Sequence, residues 1–336
     1  MTHQIRRKVQ KTGKVSLSIT LPKSWIEKTG LNSGDEVILF INKEGNLVIA
    51  PSEKSDGDKE ERLRKKTINI TDIEGEYLSQ VIIASYLSGY RVIKLTSNKI
   101  ISEKKIREIE KITMRFIGLE LIERKTREII LQDISSPQDI EFIRFVKRMN
   151  KIIIEMLEAT FNGIFSCSKE SLETVLFQEP MVDKLYYLLS RQLRLYLYSL
   201  SLPKTFKFEL TSIIDFERII KRLEGVADHC YDIAKIVTHL METGNENLLV
   251  SNSLKKLSED TINTFRNIMR AFFAGNTLQA SQVIHQSHEY RSRVRKEIFD
   301  FSKEQYSGFT FHFLRFLERI NSYAADIGEA IININH

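Results

Sequence analysis

The stretch Leu223-Glu224-Gly225-Val226-Ala227-Asp228-His229-Cys230-Tyr231-Asp232-Ile233 recurs, altered, 94 residues later as Leu317-Glu318-Arg319-Ile320-Asn321-Ser322-Tyr323-Ala324-Ala325-Asp326-Ile327. Such an echo restricts the chain to an architecture containing two similar units. Around the first copy, apolar residues fall at Phe216, Ile220, Leu223, Ala227, Cys230, Ala234, Val237 and Met241, and around the second at Phe313, Leu317, Ile320, Ala324, Ile327 and Ile331. Alternating steps of three and four are those of an amphipathic helix packed in a bundle. At about 100° per residue, Glu224, Asp228 and Asp232 stack beside the stripe, as do Glu318, Ser322 and Asp326, and these acids are expected to stay out of the core. Like charges at i and i+4 destabilise an isolated helix by a few tenths of a kcal/mol, so the ladder calls for a compensating cation. Lys221 and Lys235, on the same side of the helix, supply it in one reading; a metal supplies it in the other. Glu179 and Asp183 form a further ExxxD pair that a neighbouring helix brings to such a site. Carboxylates suit hard or borderline cations such as magnesium, manganese, iron or zinc.

An acidic ExxxD pair on the last helix of each of two three-helix bundles, with Leu317-Glu318-Arg319-Ile320 in the second copy, resembles the PhoU family of phosphate-signalling proteins. The resemblance implies a soluble six-helix body that binds metal at these motifs and restrains phosphate uptake. The first copy keeps Glu224 and Asp228 but has Gly225 where the family usually has Arg. The second keeps Glu318 and Arg319 but has Ser322 where an acid is expected. With the resemblance, a metal is expected at the first motif, and the second stays open.

The charge is distributed unevenly. Arg6, Arg7, Lys8, Lys11, Lys14 and Lys23 all precede the first acid, Glu27, and the formal charge of the whole chain is +6. The other basic residues therefore balance the 44 acidic ones, and a local basic patch of this kind is the usual footprint of a nucleic-acid partner. The same segment carries strand signals at Val15-Ser16-Leu17-Ser18-Ile19, a short helix after Leu21-Pro22 ending near Gly30, and a hairpin of Asp35 to Ile41 with Asn46 to Ala50 across a turn at Asn42 to Gly45. Lys11-Thr12-Gly13-Lys14-Val15, Thr20-Leu21-Pro22-Lys23 and Leu31-Asn32-Ser33-Gly34-Asp35-Glu36-Val37 resemble the AbrB/MazE/SpoVT swapped-hairpin family. What that implies is an interleaved homodimer with basic residues of its first loop and strands on DNA. The plainer alternative is a dimerisation module whose basic face is only solvated.

The expected organisation is multidomain: a small β-rich swapped-hairpin domain over 1–51, a charged linker over 52–66, a small α/β domain over 67–135, and an all-α pair of three-helix bundles over 136–244 and 245–336. In the α/β segment, strands are expected at Thr67–Ile70 and Arg91–Leu95, helices at Glu74–Leu87 and Ser102–Ile117 with Ser102 as N-cap, and a hairpin of Leu119–Glu123 with Arg127–Leu131. A connecting or dimer-supporting role is expected of it. Helices then run from Pro137 to about Cys167, Lys169 to about Ser201 with a break at Leu202-Pro203, and Phe208 to Glu242 before Gly244. Leu248–Ala274, Thr277 to about Tyr306 and Phe309–Asn333 follow.

No GxGxxG, phosphate loop, nucleophile elbow or HExxH occurs, and His285 and His288, at i and i+3, could bind a metal, although such residues more often sit on a polar helix face. Catalysis is not expected. Tyr186, Tyr187, Tyr196 and Tyr198 read as packing residues with wet tips. Cys167 and Cys230 lack CxxC spacing and read as small buried residues. The first residues hold no apolar signal core and no run approaches the roughly 18 residues of a membrane span, so a cytoplasmic protein without membrane insertion is expected. These readings converge on a dimeric, DNA-binding regulator that reports phosphate status. The alternative is an adaptor that contacts phosphate ABC transporter components or a signalling protein without binding DNA.

Overall fold

The computed structural model describes residues 5–41, 45–51, 64–135, 141–199, 208–243, 252–301 and 308–336. Expectations for the 52–63 linker, the turn at Asn42, Pro137, the Leu202-Pro203 break, Gly244, Leu248 and Tyr306 lie outside the described residues. The chain divides into two units, Met1–Leu63 and Arg64–His336.

In the first unit, β1 (Gln10–Lys11) pairs antiparallel with β2 (Leu17–Ser18). The connection is closed by Thr12 N–H donating to Ser16 O at 2.9 Å, with Gly13 at φ 86°. Helix α1 (Lys23–Thr29) starts after Pro22, which fixes the entry dihedral, and stops at Gly30 in the left-handed region at φ 65°. Strand β3 (Val37–Ile41) pairs antiparallel with β4 (Leu47–Pro51). The expected strand over Val15–Ile19 shrinks to two residues. Its apolar side chains Val15, Leu17 and Ile19 stand exposed, Val15 at 92%, and Leu39, Ile41 and Leu47 are exposed as well.

The second unit opens with an α/β domain: β5 (Lys65–Asn69), α2 (Gly75–Leu87), β6 (Val92–Thr96), α3 (Glu103–Thr113), β7 (Leu119–Lys125) and β8 (Glu128–Asp133). The strand order is β5-β6-β8-β7, with β5 and β6 parallel and the remaining pairs antiparallel. Arg64 to Lys66, expected in the linker, instead enter this sheet. Ser102 caps α3 by accepting from Lys105 N–H at 3.3 Å. Alternation along the strands buries Ile93, Leu95, Ile129 and Leu131 against Leu78, Ile82 and Ile109 of the helices. The same period buries Asp133 completely.

Six helices follow: α4 (Phe142–Phe165), α5 (Lys169–Ser199), α6 (Ile213–Glu242, after a 3-10 turn at Leu210–Ser212), α7 (Asn252–Ala274), α8 (Thr277–Phe301) and α9 (Gly308–Asn335). The two expected trios share one continuous core, from Val146 of α4 to Ile331 of α9, because the repeat-bearing helices α6 and α9 pack on each other. Equivalent positions of the repeat meet there. His229 stacks on Tyr323 with ring centroids 5.7 Å apart, and His229 Nε2 lies 3.2 Å from Tyr323 Oη. Gly225 makes room for the ring, since a Cβ there would sit 3.0 Å from Tyr323 Cε2.

The α/β domain is fastened to α5. Arg191 Nη2 donates to Asp133 Oδ2 at 2.7 Å and to Tyr90 O at 3.1 Å, and Arg191 Nη1 donates to Tyr86 O. Both ionic partners are buried, Arg191 at 2% exposure. Cys230 is buried as expected, whereas Cys167 is exposed in the α4–α5 connection at φ 50°. Among the described residues, no helix is long and apolar enough to cross a membrane.

Candidate functional site

The first acidic motif lies on α6 where it packs along α5. Carboxylate oxygens of Glu179 and Asp183 from α5 and Asp228 from α6 all fall within 4.8 Å of one another. The ExxxD spacing on each helix puts its pair on one face, and the antiparallel crossing turns the two faces together. Glu224 joins from one turn below Asp228. It is buried at 8% exposure, which corrects the expectation that the ladder stays out of the core. The shift comes from α5 and its tyrosines covering the side of α6 that an isolated amphipathic stripe leaves open.

Burial shapes the electrostatics. Desolvation pushes the Glu179 carboxyl up to about 7, with Asp183, Asp228 and Glu224 adding to the rise and Arg115 opposing it. Desolvation is also the leading cause of the raised values of Asp183, Glu224 and Asp228. Four acids therefore share a half-buried volume in which the loss of water is the main cost of keeping them ionised. Two cations stand against them. Lys221 Nζ donates to both oxygens of Glu224 at 2.6 Å. Arg115, from the turn after α3, places Nη2 at 3.5 Å from Asp183 Oδ2 and donates to Tyr187 Oη at 3.0 Å. Lys221 matches the lysine reading of the ladder; Lys235 instead lies over the Tyr231 ring. Asp232 is exposed and outside the carboxylate trio, close enough to Asp228 to act on its charge.

Arg115 could not be found by reading the sequence, because the α/β domain shows no motif and the contact spans 68 positions. Tyr187 behaves as a packing residue with a polar tip, as expected, and Tyr196 is buried at 6% exposure. The side chain of Tyr198 lies outside the described ones.

The second motif is built differently. Glu318, also buried, is met by Arg315 Nη1 at 2.5 Å and by Arg295 Nε of α8 at 3.4 Å. Asp326 faces across to α6, with Arg222 Nε at 2.7 Å and Arg218 Nη2 at 3.8 Å. Ser322 turns its hydroxyl back onto Glu318 O at 3.1 Å. Glu318 and Asp326 are thus parted, each among guanidinium groups, and α8 presents Arg295 where α5 presents carboxylates to the first motif.

In the N-terminal unit Arg6, Arg7, Lys8, Lys11, Lys14 and Lys23 are all exposed. Lys23 pairs with Glu27 at 3.7 Å, and the other five make no ion pair with a described residue. Lys11 and Lys14 sit in and beside the β1–β2 connection.

Residues 146–237 match the family model of the PhoU domain. This range holds Glu179, Asp183, Glu224, Asp228 and Asp232 and excludes the second motif. Residues 10–57 match the family model described as antidote-toxin recognition MazE, bacterial antitoxin. Among solved structures the chain is similar to the phosphate transport system regulatory protein PhoU from Streptococcus pneumoniae, at 21% identity over 59% of this chain and 96% of the other, with a TM-score of 0.47. It is also similar to PhoU from Pseudomonas aeruginosa, at 14% identity over 58% and 95%, with a TM-score of 0.49. A search of curated proteins gave no match. The chain thus carries a PhoU-like helical body behind an N-terminal MazE/AbrB-like segment.

Proposed function

We propose that this protein is a phosphate-responsive transcriptional regulator in which the PhoU-like body senses or relays phosphate status and a dimer of the MazE/AbrB-like unit binds DNA. The observation that carries the reading is the combination, in one small N-terminal unit, of five exposed cations without ion-pair partners among the described residues and strands whose apolar side chains stand exposed. The apolar strands call for a second copy, and the cations call for a polyanion. Such cations contact phosphates chiefly, so affinity falls steeply with salt while base choice rests elsewhere. A gel-shift series with duplexes from the protein's own upstream regions is expected to give binding at low salt that declines as salt rises. Absence of binding at low salt supports the adaptor, in which the unit only dimerises and the body docks on a phosphate transporter component or a signalling protein. The adaptor draws on the match of residues 146–237 to the PhoU domain. In either case the reading is of a regulator and not a catalyst.

The first acidic motif fits a metal. Glu179, Asp183 and Asp228 offer three hard oxygen donors within 4.8 Å of one another, and burial, the leading cause of their raised proton affinity, leaves them short of water to stabilise their charge. A cation such as magnesium, manganese, iron or zinc held there neutralises the trio and ties α5 to α6. The second motif does not fit, because guanidinium groups already occupy the surroundings of Glu318 and Asp326. Elemental analysis of protein purified from metal-replete medium is expected to give about one ion per chain. Asp228→Asn should lose it and Glu318→Gln should keep it.

A further inference from the structure

The α/β domain reaches the acidic site through Arg115. This residue stands in the turn between the end of α3 and Gly118, where Arg115 N–H donates to Ile112 O and Phe116 N–H to Thr113 O. Gly118, at φ 85°, pins the turn, since a Cβ there would strike Ser135 and Asp133. The guanidinium bridges two parts of the protein: Nη1 donates to Ser79 Oγ of α2 at 3.2 Å, while Nη2 serves Tyr187 and Asp183 of α5. Lys221 donates to both oxygens of Glu224 and acts on Asp183 and Asp228 only through space, so among the described residues Arg115 is the cation that touches the Glu179, Asp183 and Asp228 trio directly, at Asp183.

We propose that Arg115 is a resident counter-cation of the acidic site, which an entering metal displaces, so that occupancy of the site is transmitted to the turn of the α/β domain. The inference rests on the reading of the first motif as a metal centre. One Asp183 carboxylate has to serve both cations, and a divalent ion and a guanidinium repel each other across it in a half-buried, weakly screened volume. The metal wins because three carboxylates converge on it, whereas Arg115 holds Asp183 alone, at 3.5 Å. The guanidinium also has an exit, being 42% exposed.

The adjoining ring carries the change. Phe116 is buried with its centroid 4.5 Å from Tyr86 and 5.4 Å from Tyr187, the same tyrosine whose hydroxyl Arg115 holds. Release of Arg115 therefore frees Tyr187 Oη and loosens the 114–118 turn. The domain itself stays docked, because the buried Arg191–Asp133 pair is untouched. Linkage makes the effect reciprocal: a partner that draws Arg115 away from Asp183 strengthens metal binding by the same factor.

Titration of the full-length protein with manganese chloride, followed calorimetrically, tests this with wild type, Arg115→Gln and Asp228→Asn. Arg115→Gln is expected to bind manganese about tenfold tighter than wild type, and Asp228→Asn to lose binding. Equal or weaker binding by Arg115→Gln, with wild-type binding intact, leaves the metal centre standing and overturns the coupling. Absence of wild-type binding, or its persistence in Asp228→Asn, removes the metal reading and the coupling with it. Hydrogen exchange on the unmodified protein gives a second measure that does not depend on a variant folding. Saturating manganese should speed exchange across residues 114–118, and unchanged or slower exchange there overturns the proposal.

Discussion

Glu179 shows how a single carboxyl records its surroundings. Its folded value of about 7 exceeds the ordinary 4.5 because desolvation, then Asp183 and Asp228, disfavour its charged form. Between those values the folded state binds more protons than the unfolded state, so this contribution to stability is fully present below about pH 4.5 and is lost as pH rises to about 7. Asp183, Glu224 and Asp228 are shifted in the same direction. With solvent screening allowed for, the Glu179 share amounts to roughly 1–2 kcal/mol. Protein freed of metal by a chelator should therefore melt lower at about pH 8 than at about pH 5, and Glu179→Gln should remove part of that difference. Melting curves that coincide for the variant and the wild type at both pH values would refute the assignment.

At the scale of elements, α6 and α9 are related by the repeat yet have diverged to pack on each other. Gly225 occupies the position that corresponds to Arg319, and Tyr323 lies over it, flanked by Arg222 and Arg319 within 5.0 Å of the ring centroid. The departure from an arginine at Gly225 is thereby accounted for, since any side chain there meets the tyrosine. Gly225→Leu is expected to destabilise the protein by about 1–3 kcal/mol through overpacking. Tyr323→Ala in the same chain should recover part of the loss, a coupling that denaturant unfolding of the two single variants and the double variant would read. The α/β domain shows a similar use of one buried residue. Asp133 continues the inward register of Ile129 and Leu131 and is acceptable there because Arg191 of α5 meets it.

For the whole molecule, the second unit closes its own cores, whereas the first leaves Leu17, Ile19, Leu39 and Ile41 exposed. Burial of such side chains contributes on the order of 25 cal/mol per Å², so an isolated first unit lacks the main source of stability available to it. Light scattering on the full-length protein is expected to give about twice the chain mass of 39.1 kDa. Leu17→Asp combined with Ile41→Asp should shift it toward a single chain and abolish binding to duplex DNA together. Retention of DNA binding by a monomeric variant would separate the two properties and count against the dimeric reader.

Much of this protein is written in local patterns. Period-two alternation located β6 and β8, Ser102 located the start of α3, and the three-and-four spacing around Leu223 and Leu317 located α6 and α9, because each depends only on residues a few positions apart. The repeat also picked out Glu224 and Asp228, and the ExxxD spacing picked out Glu179 and Asp183. Which acids converge, and which cation meets each, was decided by tertiary packing. Helix α5 crosses α6 so that Asp183 meets Asp228, α9 faces α6 so that Asp326 meets Arg222, and the turn after α3 carries Arg115 across to α5. The reason is that a charge responds to whatever lies within a few ångströms, and in a fold of long packed helices those neighbours come from distant parts of the chain.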